Sequence, residues 1–244
     1  MKTYVINLAK DIERKEYMQN TLKEQGIEGF TFIEAVYGKK LSVEEKYLRF
    51  DSDAFIRKYA KIPNDAQIGC TLSHRKCFEE FIKSGEKICL ILEDDIYPKT
   101  PILPVIKEIQ KFLEIQLEPT IVLLSGWFWY TKKNRLDSIA LGSLYSGFLA
   151  HSYMMNARGA RLLLEQKPCY VADDWYEFRK HFGIRVYGLL PHCINQKWDG
   201  EFASATQSLG IAYEKGFSAA KMRLRWKGFV QKLLCSIGKF EGAE

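Results

Sequence analysis

Apolar positions along the first half of the chain follow two periods. Dense short runs at TYVINL (3–8), FTFIEAV (30–36), ICLIL (88–92) and TIVLLSG (120–126) suit buried strands. Between them, apolar residues fall three and four apart. Ile12, Met18 and Leu22 share a helical face behind Asp11, a candidate N-cap, and Gly26 ends that helix. Asp65 is placed to cap AQIGCTLSHRKCFEEFIKS, which stops at Gly85. Thr100 and Pro101 open a helix whose Ile102, Val105, Ile106, Ile109 and Leu113 form one stripe. Residues 38–64 are polar and weakly patterned, and read as a loop with room for one short helix.

Strands alternating with helices of this length imply an α/β fold: a mostly parallel central sheet covered by helices on both faces. After Gly126 the pattern loosens through WFWYTKKNR and LGSLYSGF. It resumes with AHSYMM, a helix near 156–166 and a short amphipathic helix in DDWYEFRKHFG, and closes with a strand at RVYGLL. The compact part is read as one domain, residues 1–214, followed by a tail, 215–244.

Charge sharpens that division. The net charge is +6, and seven of the 36 Lys and Arg lie between Lys215 and Lys239, a stretch without Asp or Glu. Within it Trp226, Phe229, Val230, Leu233, Leu234 and Ile237 fall at helical spacing among Arg225, Lys227 and Lys232. Such a segment suits a helix lying on an anionic bilayer surface, or one packed on the domain or on a second subunit. The six cysteines form no CxxC pair, and no stretch of eighteen apolar residues occurs. The N-terminus lacks a signal-peptide pattern, so a reduced, cytoplasmic setting is expected.

The chemistry concentrates where the strand 88–92 ends. Glu93, Asp94 and Asp95 lie side by side there, and three carboxylates so placed raise one another's pKa unless a positive group joins them. Ligands of open α/β sheets bind beyond the carboxyl ends of the strands. In an extended segment Glu93 and Asp95 would share a face. Two hard oxygen donors suit Mg²⁺ or Mn²⁺ with phosphate oxygens, while a solvated turn or helix-capping acids need no ion. No Walker loop and no GxGxxG is present, so P-loop and dinucleotide chemistry is unsupported.

The blocks YVINLAKDIERKEYM, IGCTLSHRKCFEEFI, ICLILEDDIYP, IVLLSG and SYMMNARGARLLLEQ, followed by Asp173 and by PH at 191–192, resemble glycosyltransferase family 25. Its bacterial members are lipopolysaccharide and lipo-oligosaccharide β-1,4-galactosyltransferases, and its animal relatives act on collagen. The resemblance spans residues 3 to about 195. It implies a GT-A-like fold, a UDP-galactose donor and Mn²⁺ or Mg²⁺, with glucosyl or N-acetylhexosaminyl transfer as the alternative.

In this family the EDD takes the part of a DxD motif. That makes Glu93 and Asp95 metal-proximal and Asp94 a ribose or sugar contact, although Glu in first place departs from a strict DxD. Asn7, Leu8, Arg14 and His74 are then nucleotide-sugar contacts, with Lys15 beside Arg14. His192 is a third metal ligand, which favours Mn²⁺. An inverting transfer needs a carboxylate base, for which Asp173 and Asp174 are candidates and Asp173 is preferred. Asp173 also suits a helix N-cap. Trp127, Trp129 and Trp175, with Trp198, offer rings for an acceptor sugar, and core packing is the alternative for each. His151 and His181 read as structural. The implied partners are a nucleotide sugar, a lipid-linked oligosaccharide acceptor and the inner face of the cytoplasmic membrane through residues 215–240, with no nucleic acid.

Overall fold

The computed structural model describes residues 1–197 and, beyond them, 222, 225, 226, 228–230, 232, 233 and 239–242. Its elements run β1 (Lys2–Asn7), α1 (Ile12–Glu24), β2 (Phe30–Glu34), a 3₁₀ turn (Gly38–Lys40), α2 (Val43–Arg49), α3 (Ser52–Tyr59) and α4 (Asp65–Lys83). Next come β3 (Ile88–Glu93), β4 (Ile96–Pro98), α5 (Leu103–Glu114), β5 (Thr120–Leu123), β6 (Phe128–Arg135), β7 (Ala140–Gly147) and β8 (Ser152–Asn156). The order closes with α6 (Ala157–Leu164), α7 (Trp175–Lys180), β9 (Arg185–Leu190), β10 (Ile194–Gln196) and β11 (Phe240–Glu241).

Nine strands form one sheet in the order β11-β6-β7-β9-β5-β8-β3-β1-β2. Six run in one direction, and β7, β8 and β11 are reversed. The α/β architecture with helices on both faces is therefore present. Period-two alternation explains it residue by residue. On β3, Cys89 and Ile91 enter the core shared with α4, α6 and α7, while Ile88, Leu90 and Leu92 enter the one shared with α1 and α5. β1 divides in the same way, Tyr4 and Ile6 against Val5. Both faces of these strands are dry, which is why their runs read as continuously apolar.

Several local expectations are corrected. Residues 38–64 hold two helices where a loop with one short helix was expected, because Ser42 and Glu45 form a capping box and Asp51 caps α3 through the Ala54 N–H. Their apolar residues Phe50, Phe55 and Tyr59 pack with Ile68 and Leu72 in a small separate core. The cap of α4 is Asn64, paired with Gln67, and not Asp65. Asp11 stands at the α1 N-cap position without a side-chain cap bond. The helix expected from Thr100 begins at Leu103. The loose region after Gly126 is a β6–β7 hairpin whose outer residues are polar.

Of the expected tail, the described residues between 222 and 233 are helical, and Met222, Trp226, Phe229 and Leu233 are exposed. Its far end returns to the sheet, since Phe240 and Glu241 pair with Trp129 and Phe128. Among the described residues no helix is long and apolar enough to cross a membrane. Trp198 lies outside the described residues.

Candidate active site

β1 and β3 run parallel side by side, so their carboxyl ends open on the same sheet edge. Asn7 ends β1, Glu93 ends β3, and Asp94 and Asp95 form the turn that leads into β4. The strand alternation therefore stops at Glu93, and each carboxylate goes its own way. Glu93 accepts a hydrogen bond from the ring of His74 on α4, Oε1 to Nε2 at 3.1 Å. Asp94 accepts from Asn7 Nδ2 at 2.8 Å and from Arg14 Nη1 on α1 at 2.9 Å. Asp95 accepts from Gln196 Nε2 on β10 at 2.9 Å and lies 3.5 Å from Arg14 Nη1. The expectation that Glu93 and Asp95 share a face is replaced by this partition.

The electrostatics follow from burial. Desolvation, the Glu93 charge and the Asp94 charge push the Asp95 carboxyl up to about 7, against the opposing Gln196 bond and Arg14 charge. Asp94 is raised by burial, less so because Arg14 and Asn7 hold its charge. Burial also acts upward on Glu93, but the His74 bond and the charges of His74, His151 and Arg14 leave it below the usual carboxylate value. Oδ1 of Asp95 is buried without a hydrogen-bond partner among the described residues. An orphaned, hard oxygen in an excess of negative charge fits a divalent cation, the group that the carboxylate run implied.

Arg14, expected on a diphosphate, thus pairs with Asp94 and Asp95. Leu8 gives its carbonyl to the Asp11 N–H, which closes the turn after β1. His192 is bonded through Nδ1 to Glu241 Oε1 at 2.9 Å and through Nε2 to Asn195 Oδ1 at 2.8 Å. Among the described residues, Cys70, His74 and Glu93 are the group of three whose donor atoms lie within 4.8 Å of one another, and neither Asp95 nor His192 is part of it.

The two candidate bases separate clearly. Asp174 caps α7 and accepts the Tyr59 hydroxyl at 2.9 Å, so the capping role expected of Asp173 falls to its neighbour. Asp173 accepts the Leu149 N–H at 3.2 Å, and burial raises its pKa. Leu149 has a positive φ of 70°, and the indole N–H of Trp175 donates to its carbonyl at 3.1 Å. Asp173 and Trp175 together hold a strained loop in place.

The tryptophans divide too. Trp175 is fully buried, so its expected stacking on an acceptor is corrected to a supporting role. Trp129 is half-buried against Phe240, ring centroids 4.8 Å apart. Trp127 is 47% exposed at a positive φ of 64°, with its N–H donated to the Glu241 carbonyl. That bend breaks the extended geometry that would have put Trp127 and Trp129 on one side. Cys70, Tyr153 (whose hydroxyl bonds His74 Nδ1 at 2.8 Å) and Gln196 were missed as site neighbours. Cys70 was within reach of sequence reasoning, because it stands one helical turn before His74.

Comparison with known proteins shows the family. The family model described as Glycosyltransferase family 25 (LPS biosynthesis protein) matches residues 1–176. The chain belongs to that family. A glycosyltransferase 25 family member of Aedes aegypti is 30% identical over 184 residues, 68% of this chain and 28% of that protein. Procollagen galactosyltransferase 1 of Danio rerio is 26% identical over 180 residues, 68% of this chain and 29% of that protein. The chain thus spans under a third of the length of these relatives. Among solved structures, a Drosophila β-1,4-galactosyltransferase 7 mutant in complex with manganese, UDP-Gal and xylobiose superposes with a TM-score of 0.41 at 12% identity, covering 91% of this chain and 78% of that one.

Proposed function

We propose that this chain transfers galactose, with inversion, from UDP-galactose to a sugar hydroxyl of a lipid-linked oligosaccharide. The observation that carries the reading is the under-neutralised carboxylate turn at the ends of β1 and β3, with the orphaned Asp95 Oδ1. The galactosyltransferase named among its relatives supports the choice of galactose over glucose or an N-acetylhexosamine.

Asp95 and Glu93 would hold Mn²⁺ or Mg²⁺, which when bound supplies charge neutralisation for a departing diphosphate. Asn7 and Arg14 fix Asp94, and Asp94 in turn orients toward the ribose or the sugar. Asp173, ionised, takes the proton of the acceptor hydroxyl as the new bond forms; its raised pKa makes it a better proton acceptor than an exposed aspartate. Asp174 is committed to Tyr59 and to the α7 cap, which leaves the base role to Asp173. Trp127 offers its exposed face to the acceptor ring, and Trp129, packed on Phe240, lies beyond the bend. The basic segment 215–240 would bring the domain to the inner face of the cytoplasmic membrane, where a lipid-linked acceptor lies.

The test is UDP release from a panel of UDP-sugars, with and without Mn²⁺, for the parent chain and Asp95→Ala. Turnover of UDP-galactose that needs both the ion and Asp95 is expected. Equal turnover without an added ion in chelator, or by the variant, overturns the reading. Vesicles of anionic lipid should retain the full chain and release one truncated at residue 216.

A further inference from the structure

The cluster of Cys70, His74 and Glu93 has a composition that a hard-cation site does not need. Cys70 and His74 are four residues apart on α4, one turn of helix, so their side chains stack on the face that meets the end of β3. Glu93, the last residue of β3, points to the same side of the sheet as Cys89 and Ile91, toward that helix. One atom from each lies within 4.8 Å of the other two, and the imidazole–carboxylate separation is already 3.1 Å. Ligand atoms around a tetrahedral zinc ion stand about 3 to 4 Å apart, so small side-chain rotations complete the set.

We propose that Cys70, His74 and Glu93 form a binding site for a borderline-soft divalent ion of the zinc class, separate in ligand chemistry from the Asp95 oxygen site but sharing Glu93 with it. Thiolate and imidazole select Zn²⁺ over Mg²⁺ and favour it over Mn²⁺. The surroundings supply what such a site requires. Nδ1 of His74 is held by the Tyr153 hydroxyl at 2.8 Å, the outer hydrogen bond that fixes a ligating imidazole. The cluster borders solvent, since the Glu93 side chain is 25% exposed and Cys70 is half-buried, so water would be the fourth ligand. Burial keeps the Cys70 thiol protonated without an ion. Binding therefore replaces its S–H bond with a sulfur–metal bond and releases that proton to the buffer. The imidazole keeps its own proton by carrying it on Nδ1, facing the Tyr153 oxygen.

Sharing Glu93 has a consequence for selectivity. A zinc-class ion on the thiolate side draws Glu93 away from the Asp95 oxygen site, so the two ions compete rather than add. The proposal does not depend on the glycosyl-transfer reading, since its test contains no donor sugar.

The experiment is Co²⁺ titration of the chelator-treated full chain, followed by optical spectroscopy, then displacement by Zn²⁺. A thiolate-to-cobalt charge-transfer band with tetrahedral d–d bands is expected, lost on adding Zn²⁺. Cys70→Ser should remove the charge-transfer band and weaken Zn²⁺ binding by about tenfold or more, while Cys169→Ser leaves both unchanged. Should Cys70→Ser fail to fold, alkylation of the parent chain with peptide mapping decides instead: Zn²⁺ must protect Cys70 in particular. A cobalt spectrum without a thiolate band, or equal alkylation of Cys70 with and without Zn²⁺, overturns the proposal and leaves His74 as a hydrogen-bond partner that orients Glu93.

Discussion

Replacing Asp95 by asparagine should make the ion-free protein more stable at pH 8 while removing a candidate metal ligand. Asp95 is buried, and its carboxyl is pushed from an ordinary 3.8 to about 7, by burial first and then by Glu93 and Asp94. An acid whose pKa is higher in the folded state contributes stability below its unfolded pKa and loses it as pH rises through the folded one. At 1.36 kcal/mol per pH unit, ionising Asp95 in place costs about 4 kcal/mol at pH 8 and under about 2 kcal/mol at pH 5. The substituted amide would keep an oxygen for the Gln196 side chain and carry no charge, so the variant escapes this cost. Urea denaturation of parent and Asp95→Asn, both in chelator, at pH 5 and pH 8 measures it. The stability gap should widen in favour of the variant by about 2 to 3 kcal/mol between the two pH values. Titrating groups remote from Asp95 are common to both proteins and cancel in the difference, while Glu93 and Asp94 act through the same repulsion that is being measured. Adding Mn²⁺ at pH 8 should then stabilise the parent and leave the variant little changed. Parallel pH profiles, or a variant less stable than the parent at pH 8, would refute the reasoning.

Four further outcomes are expected from other parts of the molecule. Arg75 donates to the carbonyls of Leu163, Leu164 and Gln166, each at 2.9 Å, and so closes the end of α6. Arg75→Ala should lower unfolding stability by about 2 to 3 kcal/mol, with Arg75→Lys recovering only part, as denaturant midpoints would report. A Cβ at Gly188 would run into the fully buried ring of Phe128. Gly188→Ala should therefore cost about 1 to 3 kcal/mol, less when combined with Phe128→Leu, and additive costs in a double-mutant cycle would contradict the clash. Trp127→Ala should raise the acceptor KM about fivefold, the equivalent of about 1 kcal/mol of ring stacking, at unchanged stability. Trp175→Phe should do the reverse, lowering the melting temperature without moving that KM.

What could be read in advance follows from how local each cause is. β1, β3 and β5 were legible because both faces of each are buried, which leaves unbroken apolar runs. α5 was legible from its stripe of Ile106, Ile109 and Leu113. The two helices within 38–64 were not, although Ser42 and Glu45 carry the spacing of a capping box. Their few apolar residues pack in a satellite core that no single period announces. The β6–β7 hairpin was hidden by the exposed run Thr131, Lys132 and Lys133, which breaks the apolar alternation. At the site, the carboxylates were legible and their partners were not. Arg14 meets Asp94 across 80 residues and Gln196 meets Asp95 across 101, distances that only the folded topology closes.

That topology changes what the carboxylate run means physically. Glu93 ties the sheet edge to α4, Asp94 ties it to α1, and Asp95 ties it to β10. Three adjacent residues thus fasten elements from both layers and from the short β4–β10 ribbon to one point. Each bond removes freedom from a carboxylate before any ligand arrives, so little ordering remains to be done on binding. The same bonds cannot neutralise the site, because one guanidinium serves both Asp94 and Asp95 and leaves Asp95 Oδ1 with no partner among the described residues. A turn built only to hold the fold together would be expected to satisfy that oxygen or to place a neutral side chain there. Rigid placement combined with an orphaned carboxylate oxygen is the arrangement that the proposed cation would use.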